Sequence, residues 1–125
     1  MLALKKIDHI NILTRFASPT LNFYQKFLGF EVTERKTQGQ PSVKSYMLEK
    51  DEQKIEIFEQ ISPDINLKTG IKHLAFESGN IEEDFKKFKE KGASILKNKI
   101  HKAPGKKFFF VKTPHGDFVE VVQYL

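Results

Sequence analysis

Cysteine is absent from the 125 residues, which excludes disulfides and thiolate ligands and leaves histidine and oxygen donors as the metal chemistry open to the chain. No apolar run approaches the roughly 20 residues that a membrane span needs. Met1-Leu2-Ala3-Leu4-Lys5-Lys6 is too short for a secretory signal, so a soluble cytoplasmic protein with no membrane partner is the expectation. Arginine is scarce, with only Arg15 and Arg35, and the formal charge of +5 comes almost entirely from lysine. Lysines set among glutamates, as in Glu82-Glu83-Asp84 followed by Lys86-Lys87-Lys89-Glu90-Lys91, describe a solvated helix face rather than a nucleic-acid footprint. The basic stretch Lys97 to Lys107, broken by Ala103-Pro104-Gly105, reads as a surface turn that could attract an anionic substrate if it lay near a site.

What the chain does contain is a duplication. His9 and Glu56 stand 47 positions apart, as do His73 and Glu120, and the second pair follows the first at an offset of 64. The surrounding wording repeats as well: Ile7-Asp8-His9-Ile10-Asn11-Ile12 is echoed by Ile71-Lys72-His73-Leu74-Ala75-Phe76, and Ile55-Glu56-Ile57 by Val119-Glu120-Val121. Each polar residue interrupts a β-type apolar stretch. Histidine plus carboxylate on strands, twice over, is what a divalent metal site built from two similar halves requires.

Period-2 alternation marks a strand over Ile7 to Leu13. Ser18-Pro19 then opens a helix whose apolar stripe is Leu21, Phe23, Tyr24, Phe27 and Leu28, with Gly29 as its stop. Strands follow at Phe30 to Glu34, Ser45 to Glu49 and Lys54 to Glu59, the last two joined by a turn at Lys50 to Gln53. The second half repeats the order, with a strand at Ile71 to Glu77, a helix at Ile81 to Lys91 stopped by Gly92, and strands at Ser94 to Asn98, Phe108 to Lys112 and Phe118 to Tyr124. Thr113-Pro114-His115-Gly116 turns between the last two. The Phe108-Phe109-Phe110 run reads as core strand, and His101 and His115 as solvent-facing loop residues. Residues 1–125 therefore form one α+β domain of two βαβββ modules, the first over 5–60 and the second over 71–125, joined by a linker at 61–70.

Strand phase locates the site. The aliphatic residues Ile10/Ile12, Ile55/Ile57, Leu74/Phe76 and Val119/Val121 share one face and pack under the helices, so His9, Glu56, His73 and Glu120 face into a cupped mixed β-sheet. Leu13, Phe58, Ala75, Phe118 and Val122 line the same face, an apolar small-molecule pocket with four convergent polar groups. Glu59 could take the place of Glu56 if the strand slipped by a residue, but its phase points to the helix side. A lone strand histidine is more often a hydrogen-bonded structural residue than a ligand. Two carboxylates buried together without a cation repel, however, and four residues in register argue for an ion.

Paired βαβββ modules with His on the first strand and Glu on the last of each half resemble the vicinal oxygen chelate superfamily, whose members include glyoxalase I. The markers are Ile7-Asp8-His9, Phe23-Tyr24 to Leu28-Gly29-Phe30, Lys54-Ile55-Glu56, Ile71-Lys72-His73-Leu74-Ala75-Phe76 and Thr113-Pro114-His115-Gly116-Asp117-Phe118-Val119-Glu120. Ring-cleaving dioxygenases and fosfomycin-modifying transferases resemble the chain at three of the four positions. Glyoxalase I enzymes (lactoylglutathione lyases) resemble it at all four, and methylmalonyl-CoA epimerases resemble it closely, usually with an amide for one carboxylate. The resemblance implies a lyase or isomerase that binds Ni²⁺, Co²⁺, Zn²⁺ or Mn²⁺ through His9, Glu56, His73 and Glu120 and moves a proton next to a carbonyl through a metal-held enediolate. By analogy Glu120 is the proton carrier, with Glu56 second.

Glutathione-using members usually carry arginine four residues beyond the first histidine and asparagine four beyond the first glutamate, where this chain has Leu13 and Gln60. The alternatives to a glyoxalase I-like enzyme are an epimerase of acyl thioesters, a metal-free drug-sequestering module and a metal-binding sensor. Because the superfamily completes its sites from paired modules, within a chain or across a dimer, a homodimer is expected.

Overall fold

The computed structural model describes residues 2–37, 43–60, 68–114 and 117–125. They form eight strands and two α-helices: β1 (Leu4–Thr14), α1 (Ala17–Leu28), β2 (Glu31–Thr37), β3 (Val43–Lys50), β4 (Gln53–Gln60), β5 (Gly70–Ser78), α2 (Ile81–Glu90), β6 (His101–Ala103), β7 (Lys106–Lys112) and β8 (Phe118–Tyr124). The chain divides into two compact units, His9–Lys72 on the one hand and the residues through Asp8 with His73–Leu125 on the other. Each is a βαβββ module, so the α+β reading of the sequence holds. Among the described residues, no helix is long and apolar enough to cross a membrane.

In the unit His9–Lys72 the strand order is β2-β3-β4-β1. Strand β4 runs parallel to β1 and antiparallel to β3, and β2 is antiparallel to β3. The β3–β4 hairpin turns through Asp51 and Glu52, at φ 48° and 67°, the sign that a type I′ turn demands at both central positions. Ile10, Ile12, Ile55 and Ile57 carry the aliphatic face, and Ile12, Ala17, Leu21, Leu48 and Ile57 form the core under α1. Ser18-Pro19 does not open this helix. It begins at Ala17, Phe16 provides no side-chain cap, and the Ala17 N–H instead donates to Glu59 Oε2 at 2.7 Å. Glu59 thus lies on the helix side, as its strand phase predicts, and Glu56 keeps the opposite face. At the other end Gly29 takes φ 77° and closes α1, its N–H donating to Gln25 O; a left-handed residue here is what glycine permits.

In the second unit the strand order is β5-β8-β7-β6, with β5 parallel to β8 and the remaining pairs antiparallel. Ile81, Ile95, Phe109 and Val121 form its core, with Phe85 and Phe88 edge-on to Phe109 at 5.4 and 5.8 Å. The buried Asp84 carboxylate accepts from the Ala3 N–H at 2.6 Å and the Ser78 hydroxyl at 2.7 Å, which ties the N-terminal residues to α2.

Three expectations are corrected. Ser94 to Asn98 is not a strand: only Ile95 bridges to Val111, and Lys97 and Asn98, at φ 56° and 51°, wind Leu96–Asn98 into a 3₁₀ turn that an extended chain cannot follow. Its place in the sheet is taken by β6, which pairs His101 with Phe108 and puts that histidine on a strand instead of a loop. The phenylalanine run divides by face, with Phe109 in the core and Phe108 and Phe110 on the other side, because strand side chains alternate. Most of the expected linker (61–67) and His115 lie outside the described residues, while Gly70 is the first residue of β5.

Candidate metal centre

The parallel pairing of β1 with β4 sets Asn11 beside Glu56 and Leu13 beside Phe58, on the face turned away from α1. His9 shares that face by strand alternation. Its Nε2 stands 3.4 Å from Glu56 Oε1, and both residues are buried, at 2% and 8% exposure. The Asn11 amide donates to the same Oε1 at 2.9 Å. A carboxylate removed from water is costly without donors, and here an amide from the neighbouring strand holds it in one orientation.

The second unit repeats this construction. Pairing of β5 with β8 places His73 beside Phe118 and Ala75 beside Glu120. His73 Nε2 lies 3.1 Å from Glu120 Oε1, with Glu120 buried and His73 half-buried. Phe110, next to Glu120 on β7, meets the His73 ring edge-on at 5.4 Å, and Phe108 and Phe118 pack against Phe110 at 5.8 and 6.5 Å. The offset of 64 therefore holds in space: the same two atoms, Nε2 and Oε1, face one another in each half.

Those distances suit metal ligation. Two ligands about 2.0–2.2 Å from one ion stand roughly 3 Å apart at a right angle and somewhat farther at a tetrahedral angle. Imidazole nitrogens and carboxylate oxygens are donors for Zn²⁺, Ni²⁺, Co²⁺ and Mn²⁺, and each half sets one of each at such a distance, His9 with Glu56 and His73 with Glu120.

Of the expected lining, Leu13 and Phe58 fall on the His9/Glu56 face of one unit, and Ala75, Phe118 and Val122 on the His73/Glu120 face of the other. The sequence reading missed Asn11, although its place two residues after His9 in a period-2 strand put it on the ligand face. It also missed Phe108 and Phe110, and Glu77, which is paired with Val122 on that face.

Residues 6–121 match the Glyoxalase/Bleomycin resistance protein/Dioxygenase superfamily. The chain belongs to that superfamily. Among its relatives, the uncharacterized protein YwbC of Bacillus subtilis is 24% identical over 95% of this chain and 98% of its own length. The crystal structure of hypothetical protein BH1468 from Bacillus halodurans superposes with a TM-score of 0.83 at 26% identity, covering 96% of this chain and 94% of that one. A Streptomyces coelicolor methylmalonyl-CoA epimerase (Q60A), in complex with 2-nitronate-propionyl-CoA, gives a TM-score of 0.80 at 23% identity over 97% of this chain and 98% of that one. At that identity the likeness to the epimerase is one of fold.

Proposed function

We propose that this superfamily member is a divalent-metal-dependent isomerase that moves a proton on the carbon beside a carbonyl, acting on 2-substituted acyl thioesters as an epimerase. The observation that carries the reading is the histidine–glutamate pair, Nε2 toward Oε1, formed at 3.4 Å in one half and 3.1 Å in the other. His9, Glu56, His73 and Glu120 hold the ion. When bound, the ion supplies positive charge beside the substrate oxygens on which negative charge develops.

Inverting a carbon centre requires a proton to leave one face and arrive at the other. Two buried carboxylates meet that need. Glu120 carries the proton, and Glu56, held by the Asn11 amide, is the second acid–base group. The rings of Phe110 and Phe118 beside the Glu120 half, with Leu13 and Phe58 beside the Glu56 half, limit water around the reacting carbon. The epimerase of the same fold supports a thioester, and Leu13 and Gln60 disfavour glutathione. A glyoxalase I-like lyase is the second reading, favoured by the complete two-histidine, two-glutamate set.

The test is hydrogen exchange in D₂O with the metal-loaded protein, using a 2-methyl-branched acyl thioester and, in parallel, a glutathione hemithioacetal. Exchange at C2 of the thioester, slowed by roughly 10²-fold or more in Glu120→Gln, is the expected outcome. Turnover of the hemithioacetal alone would transfer the assignment to the lyase, and binding of either compound without exchange would leave a sequestering module.

A further inference from the structure

His101 has no role in the chemistry above, yet its surroundings are those of a binding group. Its ring stacks on Phe108 at 5.3 Å and 17°. The register His101 to Phe108 to Val122 places it on the same face of the sheet as Glu120, two residues along β8. With strands about 4.8 Å apart and a rise near 3.4 Å per residue, His101 lies roughly 12 Å from Glu120 at the backbone. That is the reach of a substrate arm, not of the reacting carbon. The rings of His101, Phe108, Phe110 and His73 make a continuous row, with neighbouring centroids 5.3, 5.8 and 5.4 Å apart.

At the far end of this row the His101 Nε2 is shielded from solvent and has no hydrogen-bond partner among the described residues. A buried imidazole nitrogen left in that state is unfavourable, and a ligand oxygen would remove the cost. The neighbourhood is cationic. Lys106 Nζ lies 5.5 Å from the centre of the Phe108 ring, and the ammonium groups of Lys99 and Lys97 act on His101. Burial first, then those two lysines, holds the imidazole below its ordinary pKa. At neutral pH it is therefore the uncharged form, whose single N–H can be placed on Nε2 as a donor.

We infer that His101, with Lys106 beside the Phe108 ring and Lys97 and Lys99 nearby, forms a subsite for an anionic oxygen of the substrate, a carboxylate or phosphate remote from the carbon that loses its proton. This gives the basic stretch Lys97 to Lys107 a specificity role. The subsite rests on the proposed function only for its purpose, and binding is measured without turnover.

The experiment is an NMR titration of the histidine ring signals of the full chain with inorganic phosphate, coenzyme A and malonate, with His101 assigned by the signal lost in His101→Phe. Saturable movement of the His101 signals is expected, together with binding at least tenfold weaker in His101→Phe, which keeps a ring on Phe108, and partly restored in His101→Gln, which returns an N–H donor. A response to phosphate and coenzyme A identifies the carrier arm, and a response to malonate alone identifies a carboxylate of the acyl group. Absence of saturable movement with all three probes, or equal affinity in His101→Phe, overturns the subsite. Neither result bears on hydrogen exchange at the metal centre.

Discussion

Asn11 and Ala75 occupy corresponding positions in the two halves, 64 residues apart, and differ in what they offer the adjacent glutamate: an amide donor to Glu56 in one case, a methyl group in the other. Outer hydrogen bonds of this kind orient a metal ligand. Asn11→Ala is expected to weaken metal affinity by about 10- to 100-fold, read by calorimetric titration, whereas a purely structural role would lower the melting temperature and leave affinity intact. Glu120→Gln is expected to slow hydrogen exchange by roughly 10²- to 10⁴-fold. His101 makes a prediction about pH. Its folded-state pKa lies below the ordinary 6.5, so on acidification the unfolded chain takes the proton first. The neutral imidazole's share of stability is present above pH 6.5 and is lost as pH falls through the folded value. Lys97, Lys99 and Lys106 are the charged groups around the ring. The melting temperature of His101→Phe is therefore expected to fall less than that of the native chain below pH 6.5. Strand phase was enough to find the face carrying His9, Glu56, His73 and Glu120. It could not find the Asn11 bond, since phase marks a face and not a partner across it, nor His101, whose lysine-rich flanks look like a turn.

Both helices start in the same unusual way. The first N–H of α1 is taken by Glu59 Oε2 from β4, and the first N–H of α2 by Gln123 Oε1 from β8, with each cap and each helix start again 64 residues apart. Asn80 adds a conventional cap to α2, accepting from the Glu83 N–H at 3.3 Å. The helix start at Ser18-Pro19 failed as a reading because the acceptor comes from a strand 42 residues away, which no local motif announces. Loss of either strand acceptor leaves an orphan donor at a helix N-terminus. Glu59→Ala and Gln123→Ala are each expected to cost about 0.5–2 kcal/mol, the former more at low salt because a carboxylate also meets the positive end of the helix dipole; urea unfolding checks both. The misplaced strand at Ser94 to Asn98 has a similar origin. Alternation there is real, but two residues at positive φ bend the chain out of an extended path.

For the molecule as a whole the duplication was legible from residue spacing alone, because each module spends its strands and helix in the same order and a repeat of βαβββ admits few arrangements. Membership of the superfamily follows from the match over residues 6–121, while substrate and oligomeric state depend on chemistry that spacing does not encode. We propose a homodimer. Sedimentation equilibrium is expected to give twice the chain mass, and a monomer carrying a full complement of metal would exclude exchange of modules between chains. The central proposal is that His9, Glu56, His73 and Glu120 all serve one cation. Isothermal titration with Ni²⁺, Co²⁺ and Zn²⁺ tests it directly. The account predicts one ion per chain, lost in His9→Ala and equally in His73→Ala; two ions per chain, or an affinity untouched by either substitution, would contradict it.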